Sequence, residues 1–76
     1  MISVEQIRAA RAWLNISQQE LADASKVEVR TIYRIEGGFR GATERTLDKI
    51  RQAFETRGLE FIFEGAKPVG LQVRRS

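Results

Sequence analysis

Two short stretches of this chain carry the spacing of a helix start, and they stand close together. Ser3-Val4-Glu5-Gln6 and Ser17-Gln18-Gln19-Glu20 each set a serine three residues ahead of a Gln or Glu. In such a capping box the serine side chain accepts from a helix amide, and the Gln or Glu reaches back to the serine amide. Only one helix fits between them, and it is short. Ile7, Ala10 and Leu14 follow the first box at helical spacing, and Asn15 suits the left-handed conformation just past a helix end. The pattern predicts a helix from Ser3 to about Leu14, and a second from Ser17 to Ala24 or Ser25 with Leu21 and Ala22 turned inward.

A third helix starts almost at once. Val27, Ile32 and Ile35 form its inward stripe, and Gly37-Gly38 stops it. A loop from Gly37 to Ala42 holds three glycines and Arg40. Thr43 caps a fourth helix lined by Leu47, Ile50 and Phe54 and ended by Gly58. The period then changes from 3.6 to 2. Leu59, Phe61 and Phe63 alternate with Glu60, Ile62 and Glu64; Gly65 to Gly70 is turn chemistry; Leu71 and Val73 alternate with Gln72 and Arg74. That is a β-hairpin pattern. The expected fold is mainly α: four helices followed by a C-terminal β-hairpin. With 76 residues there is room for one domain, residues 1–58 carrying the helices and 59–76 the hairpin within the same unit.

Composition narrows the chemistry. The chain has neither histidine nor cysteine. Disulfides, thiol nucleophiles, imidazole bases and the usual zinc ligands are therefore out of reach, and neither a metal, nor a cofactor, nor an enzyme activity is expected. No apolar run approaches the length of a membrane span. The start, Met-Ile-Ser-Val-Glu, lacks the basic and apolar regions of a secretory signal. A cytoplasmic, nucleoid-associated protein without a membrane partner is expected. Thirteen Lys and Arg against ten Asp and Glu leave +3. Counted by thirds, residues 1–25 carry −1, 26–51 carry +3 and 52–76 carry +1. The whole excess over neutrality can thus be assigned to the middle third, which makes nucleic acid the first partner to test.

Two short helices, Gln18–Ala24 just ahead of that middle third and Val29–Glu36 within it, are joined by Ser25-Lys26-Val27-Glu28. This is a helix-turn-helix pattern. It needs a small residue where the helices touch (Ala22), an apolar plug in the turn (Val27), and apolar residues on the inner side of the second helix (Ile32, Ile35). The outward positions left over are Val29, Arg30, Tyr33 and Arg34. Arginine can grip guanine with two hydrogen bonds in the major groove, or hold a phosphate.

The run Ser17-Gln18-Gln19-Glu20-Leu21-Ala22, then Val27, Thr31-Ile32 and Arg34-Ile35-Glu36-Gly37, resembles the Xre family of phage and bacterial transcriptional regulators, the lambda-repressor/Cro-like DNA-binding domain. The resemblance covers roughly residues 4–57. The ending, Leu59-Glu60-Phe61-Ile62 with Gly70-Leu71-Gln72-Val73-Arg74, is similar to a strand tail of small single-domain members.

The resemblance implies a regulator, a repressor in kind, that binds double-stranded DNA as a homodimer on a two-fold site. By resemblance Gln18 meets the DNA backbone. Val29, Arg30 and Arg34 take the base-reading positions. Thr31 and Tyr33 contact phosphate, Tyr33 being equally readable as a surface aromatic. Arg40 and Arg45 grip phosphate at the start of helix four. Arg11 and Glu36 match a structural salt bridge of the family.

Two residues depart from the pattern. Lys26 replaces the usual turn glycine, a strained choice if that residue is left-handed. Glu28 replaces the Ser or Thr that normally caps the recognition helix. Trp13 is expected to pack on the hairpin or helix four, a dimer contact being the alternative. The hairpin is expected either to pack on helices one and four or to pair with a second copy, with Phe61 and Phe63 supplying the apolar contact. A protein-interaction module, such as an antitoxin whose hairpin docks a partner, is the alternative function.

Overall fold

The computed structural model describes residues 1–74; Arg75 and Ser76, which the sequence reading assigned to the hairpin segment, lie outside the described residues. Four helices precede a two-stranded antiparallel sheet: α1 Val4–Leu14, α2 Gln18–Ser25, α3 Val29–Glu36, α4 Glu44–Thr56, β1 Leu59–Glu64 and β2 Lys67–Val73. The mainly α fold with a terminal hairpin is the one the periodicities point to.

Both capping boxes form. Ser3 Oγ accepts from the Gln6 amide and Gln6 Oε1 from the Ser3 amide, and Ser17 and Glu20 repeat the exchange. Asn15 ends α1 at φ 54° and Lys26 ends α2 at φ 59°. At Lys26 that conformation lets the amides of Lys26 and Val27 both reach the Ala22 carbonyl. Thr43 caps α4 through the Thr46 amide. Glu28 stands at the N-cap of α3 without making a side-chain cap, so only its carbonyl serves the helix, accepting from Thr31 and Ile32.

One core joins the four helices and β1, and Leu71 of β2 packs against it. Ile7 and Ala10 of α1, Leu21 and Ala22 of α2, Ile32 and Ile35 of α3, and Ile50, Ala53 and Phe54 of α4 meet Leu59 and Phe61 of β1. Val27 plugs the turn as its position predicts. Ile2, ahead of α1, also enters the core, a contribution that periodicity cannot reveal for a residue outside any element.

The hairpin packs on α1 and α4. Phe61 is only 6% exposed and lies 5.8 Å from Phe54, ring centre to ring centre. Phe63 is half-buried beneath the Arg51 guanidinium. The turn is shorter than the run Gly65 to Gly70 suggests. Gly65 at φ 59° and Ala66 make a two-residue connection, and Lys67 to Gly70 already belong to β2. Pro68 is accommodated because β2 is an edge strand, where a missing amide donor breaks no ladder. The register slips at Ile62/Phe63: Ile62 faces Gly70 and Phe63 faces Pro68, so Val69 is the extra residue of a bulge.

Gln6 straddles this irregularity. Its Nε2 donates to the carbonyls of Ile62 at 3.1 Å and Gly70 at 2.9 Å while its Oε1 completes the capping box. A single buried amide thereby joins the start of α1 to both strands.

Trp13 corrects an expectation. Its side chain packs on neither the hairpin nor α4: the residue is 67% exposed. Its neighbours along the outer side of α1, Ala9 and Ala12, are exposed as well. The inward side of α1 is taken by Gln6, Ile7 and Ala10, all buried, and of these Gln6 bonds the hairpin.

Candidate nucleic-acid interface

α3 is amphipathic in a strict sense. Ile32 and Ile35 are buried on its inner side, while Arg30, Tyr33 and Arg34 are exposed at positions that helical spacing puts on one face. Tyr33 is 52% exposed, and Val29 and Thr31 are half-buried at the margins of that face. Among the described residues, neither Arg30 nor Arg34 enters an ion pair, and neither do Arg40 and Arg45. The arginines that do pair are Arg11, Arg51 and Arg74. Four exposed guanidinium groups without an acidic partner can be offered to an anion with no bond to break first.

The outer face is aimed by what holds α3 from behind. Glu36, its last residue, is buried and receives a two-pronged bond from Arg11 of α1: Nε to Oε2 at 2.8 Å and Nη2 to Oε1 at 2.8 Å. The third nitrogen of Arg11, Nη1, donates to the Ile16 carbonyl, and Arg8 donates to the backbone carbonyl of Glu36. The hydrogen bond to Glu36 raises the Arg11 guanidinium above the ordinary arginine value, against the opposing effect of burial. Gln18 joins the same cluster, its Nε2 lying 3.4 Å from Glu36 Oε1. Thus the first residue of α2 and the last of α3 are tied to α1 through one carboxylate. Arg8 is the part of this clamp that the sequence pattern does not reveal, because its contact is to backbone.

The loop after α3 is tethered too. The amides of Gly38 and Phe39 donate to the carbonyls of Ile35 and Arg34. The Phe39 ring covers Gly41 so closely that a Cβ there would meet the ring at 2.3 Å. Arg40, between them, is exposed. Arg45 is exposed in the first turn of α4, beside Thr43 and Glu44. Glu44 already offers a negative charge to the positive end of α4, so the arginines rather than the helix end supply the attraction for a phosphate.

Of the eight residues singled out in the sequence, Arg30, Tyr33 and Arg34 share one exposed face, Val29 and Thr31 border it, and Arg40 and Arg45 lie on and beyond the tethered loop. Gln18 stands apart, half-buried against Glu36. Phe39 is a further exposed aromatic here, visible in the sequence only as an apolar residue inside a glycine-rich loop.

The family model described as helix-turn-helix, HTH_3, matches residues 7–61, well over half of the chain. No curated protein matches the chain at a significant level.

Proposed function

Since the chain belongs to the helix-turn-helix family HTH_3, a family of DNA-binding regulators and not of enzymes, we propose that it is a sequence-specific transcriptional regulator that lays α3 in the major groove. The observation that carries this reading is the face of Arg30, Tyr33 and Arg34, cationic, exposed and clear of acidic partners, on a helix clamped at its end by Arg11 and Glu36. Arg30 and Arg34 read base edges, and Val29 offers a methyl surface to thymine. Thr31, Tyr33, Arg40, Arg45 and Gln18 hold the sugar-phosphate backbone and set the register. Glu28, exposed ahead of the helix, is an acceptor of the kind a cytosine amine uses.

The helices and the hairpin act as one unit, a homodimer on a two-fold site, with half-sites about 34 Å apart on one side of the duplex. Repression by occupancy of that site is the simplest consequence, in the cytoplasm beside the nucleoid. No described helix is long and apolar enough to cross a membrane. Removal of residues 59–76 is a poor test of dimerisation, because it also strips Leu59 and Phe61 from the core.

The decisive experiment is a fluorescence titration against duplexes selected from a random pool, at two salt concentrations. Tight, salt-sensitive binding to a consensus, lost in the Arg30→Ala/Arg34→Ala variant, is the expected result. Binding with no sequence preference, unchanged in that variant, sinks the proposal.

A further inference from the structure

The segment ahead of α1, the start of α1, the loop after α3 and the first turns of α4 surround a cavity of about 620 Å³. That lies within the range of about 300–1,000 Å³ typical of small-molecule sites. Its floor is aliphatic. Buried Ile2, Ile7 and Ile35 line it, and half-buried Leu47 and exposed Phe39 continue the apolar wall. Part of the wall between Ile35 and Phe39 is bare backbone: Gly37 and Gly38 carry no side chain, and a Cβ added at Gly38 would meet nothing within 4 Å.

Three charged residues also line the cavity, Arg8, Arg40 and Glu5, and all are exposed. Two guanidinium groups against one carboxylate leave this lining with one positive charge in excess. Neither arginine pairs with an acid among the described residues. Arg8 instead gives a bond to the Glu36 carbonyl.

We propose that this cavity binds a small monocarboxylate with an apolar body, and that the bound molecule weakens the protein's grip on DNA. The binding stands on the cavity alone; the effect on DNA rests on the proposed regulator reading.

The lining selects the ligand class. An aliphatic floor calls for an apolar body and turns away a sugar or a nucleotide, whose polar groups would lose water there without gaining partners. The arginines call for an anionic end, since a guanidinium holds a carboxylate by two parallel bonds. One excess charge suits one carboxylate, and Glu5 repels a second. A neutral or cationic amphiphile keeps the apolar contact and lacks the bonds to Arg8 and Arg40.

The effect on DNA follows from what the two arginines otherwise do. Arg8 holds the backbone at the end of α3, and Arg40 lies on the loop proposed to hold phosphate. A carboxylate that draws both heads toward the cavity takes one from the clamp behind α3 and the other from the duplex. Such coupling is reciprocal, so the duplex weakens carboxylate binding by the same factor.

The test uses the whole chain and octanoate as the probe, kept below its micelle-forming concentration, with 1-octanol and octylammonium as controls. Amide shifts in nitrogen–proton spectra should saturate with octanoate and centre on residues 2–8 and 37–42. Both controls should bind about tenfold more weakly or worse, and Arg40→Gln should weaken octanoate about tenfold. Ala42→Phe, which puts a ring into the cavity from a half-buried position in its wall, should abolish the shifts. Circular dichroism checks the fold of that variant; where it fails, the exposed exchange Arg40→Gln decides. On a selected duplex, saturating octanoate should weaken binding about tenfold in the parent and have no effect in Ala42→Phe.

Shifts that never saturate or that centre elsewhere, octanol binding as tightly as octanoate, or an Arg40→Gln variant that binds octanoate as the parent does overturns the site. Octanoate that fills the cavity and leaves duplex affinity unchanged overturns the effect on DNA. A protein that obeys the octanoate pattern but binds no duplex refutes the regulator reading and leaves the site standing. A protein that binds a selected duplex but no octanoate refutes the site alone.

Discussion

Arg11 and Glu36 meet end to end, two nitrogens on two oxygens, with the carboxylate side chain 6% exposed and the guanidinium 25%. Pairs with this geometry add direction as well as energy. Here the direction is that of α3, because Glu36 is its last residue. Removing one partner leaves the other charge buried and alone, the expensive half of any buried pair. Glu36→Ala is expected to cost about 3 kcal/mol, and Arg11→Ala somewhat less because its head is partly hydrated. Urea midpoints of the two single variants and the double variant check this: the double should cost clearly less than the sum. A guanidinium raised above its ordinary value contributes stability that is present below that value and lost only as pH climbs through it. Stability should therefore show no step from Arg11 across the neutral range.

The arginines of the proposed interface, at 30, 34, 40 and 45, are expected to divide by task. Arg30→Ala and Arg34→Ala should each cost about 1–3 kcal/mol of specific binding and relax the base preference at one position of the site. Arg40→Ala and Arg45→Ala should weaken all sequences alike and lower the salt slope by about one each. Titrations against the selected site and single-base variants of it, at several salt concentrations, separate the two classes. A uniform loss from Arg30→Ala would move that residue to the phosphate class.

Lys26 holds φ 59° at the end of α2, a conformation that a side chain with a Cβ adopts under strain. Lys26→Gly should raise stability by about 1 kcal/mol. Thermal unfolding monitored by circular dichroism measures it, and an unchanged or lower midpoint contradicts the assignment of strain.

Gln6→Leu removes one capping-box bond and both donations to the hairpin, those to Ile62 and Gly70. A loss of about 3 kcal/mol is expected, since three bonds go and each is worth roughly 1 kcal/mol net. Amide exchange should speed up selectively in β1 and β2. Uniform acceleration over all six elements would mean that the hairpin and helices do not separate in this way.

Trp13 is the only tryptophan, so fluorescence reports one site. Emission typical of a hydrated indole and ready quenching by acrylamide are expected. Trp13→Ala should leave stability within about 0.5 kcal/mol of the parent.

Most of the fold was legible because its punctuation is local. The serines at 3 and 17, the threonine at 43 and Asn15 each do their work within a few residues of themselves. Lys26 and Glu28 were readable as misfits for the same reason: the structure gives one a left-handed backbone and the other no side-chain cap. What escaped depends on distant parts of the chain. The box glutamine at position 6 looks complete in sequence, and only the docked hairpin reveals the second use of its amide. Ile2 belongs to no periodic stretch, yet it is buried. The bulge at Val69 arises from pairing, which no single strand displays. Trp13, expected on the hairpin or helix four, is exposed, because Gln6, Ile7 and Ala10 occupy the side of α1 that faces inward. In the site, the outward arginines follow from helical spacing, and the contact of Arg8 to a backbone carbonyl does not.

The two hairpin bonds of Gln6 span 56 and 64 residues of sequence. Closing so long a loop has to be preceded by most of the chain's ordering, since its entropy is lost before the contact rewards it. The α2–α3 unit, whose contacts are near in sequence, has no such wait. The seam between α1 and the hairpin is therefore expected to assemble last. Refolding of this small helical protein should run slower than its helix content suggests, with the final rate set by the closure of the two ends of the chain upon each other.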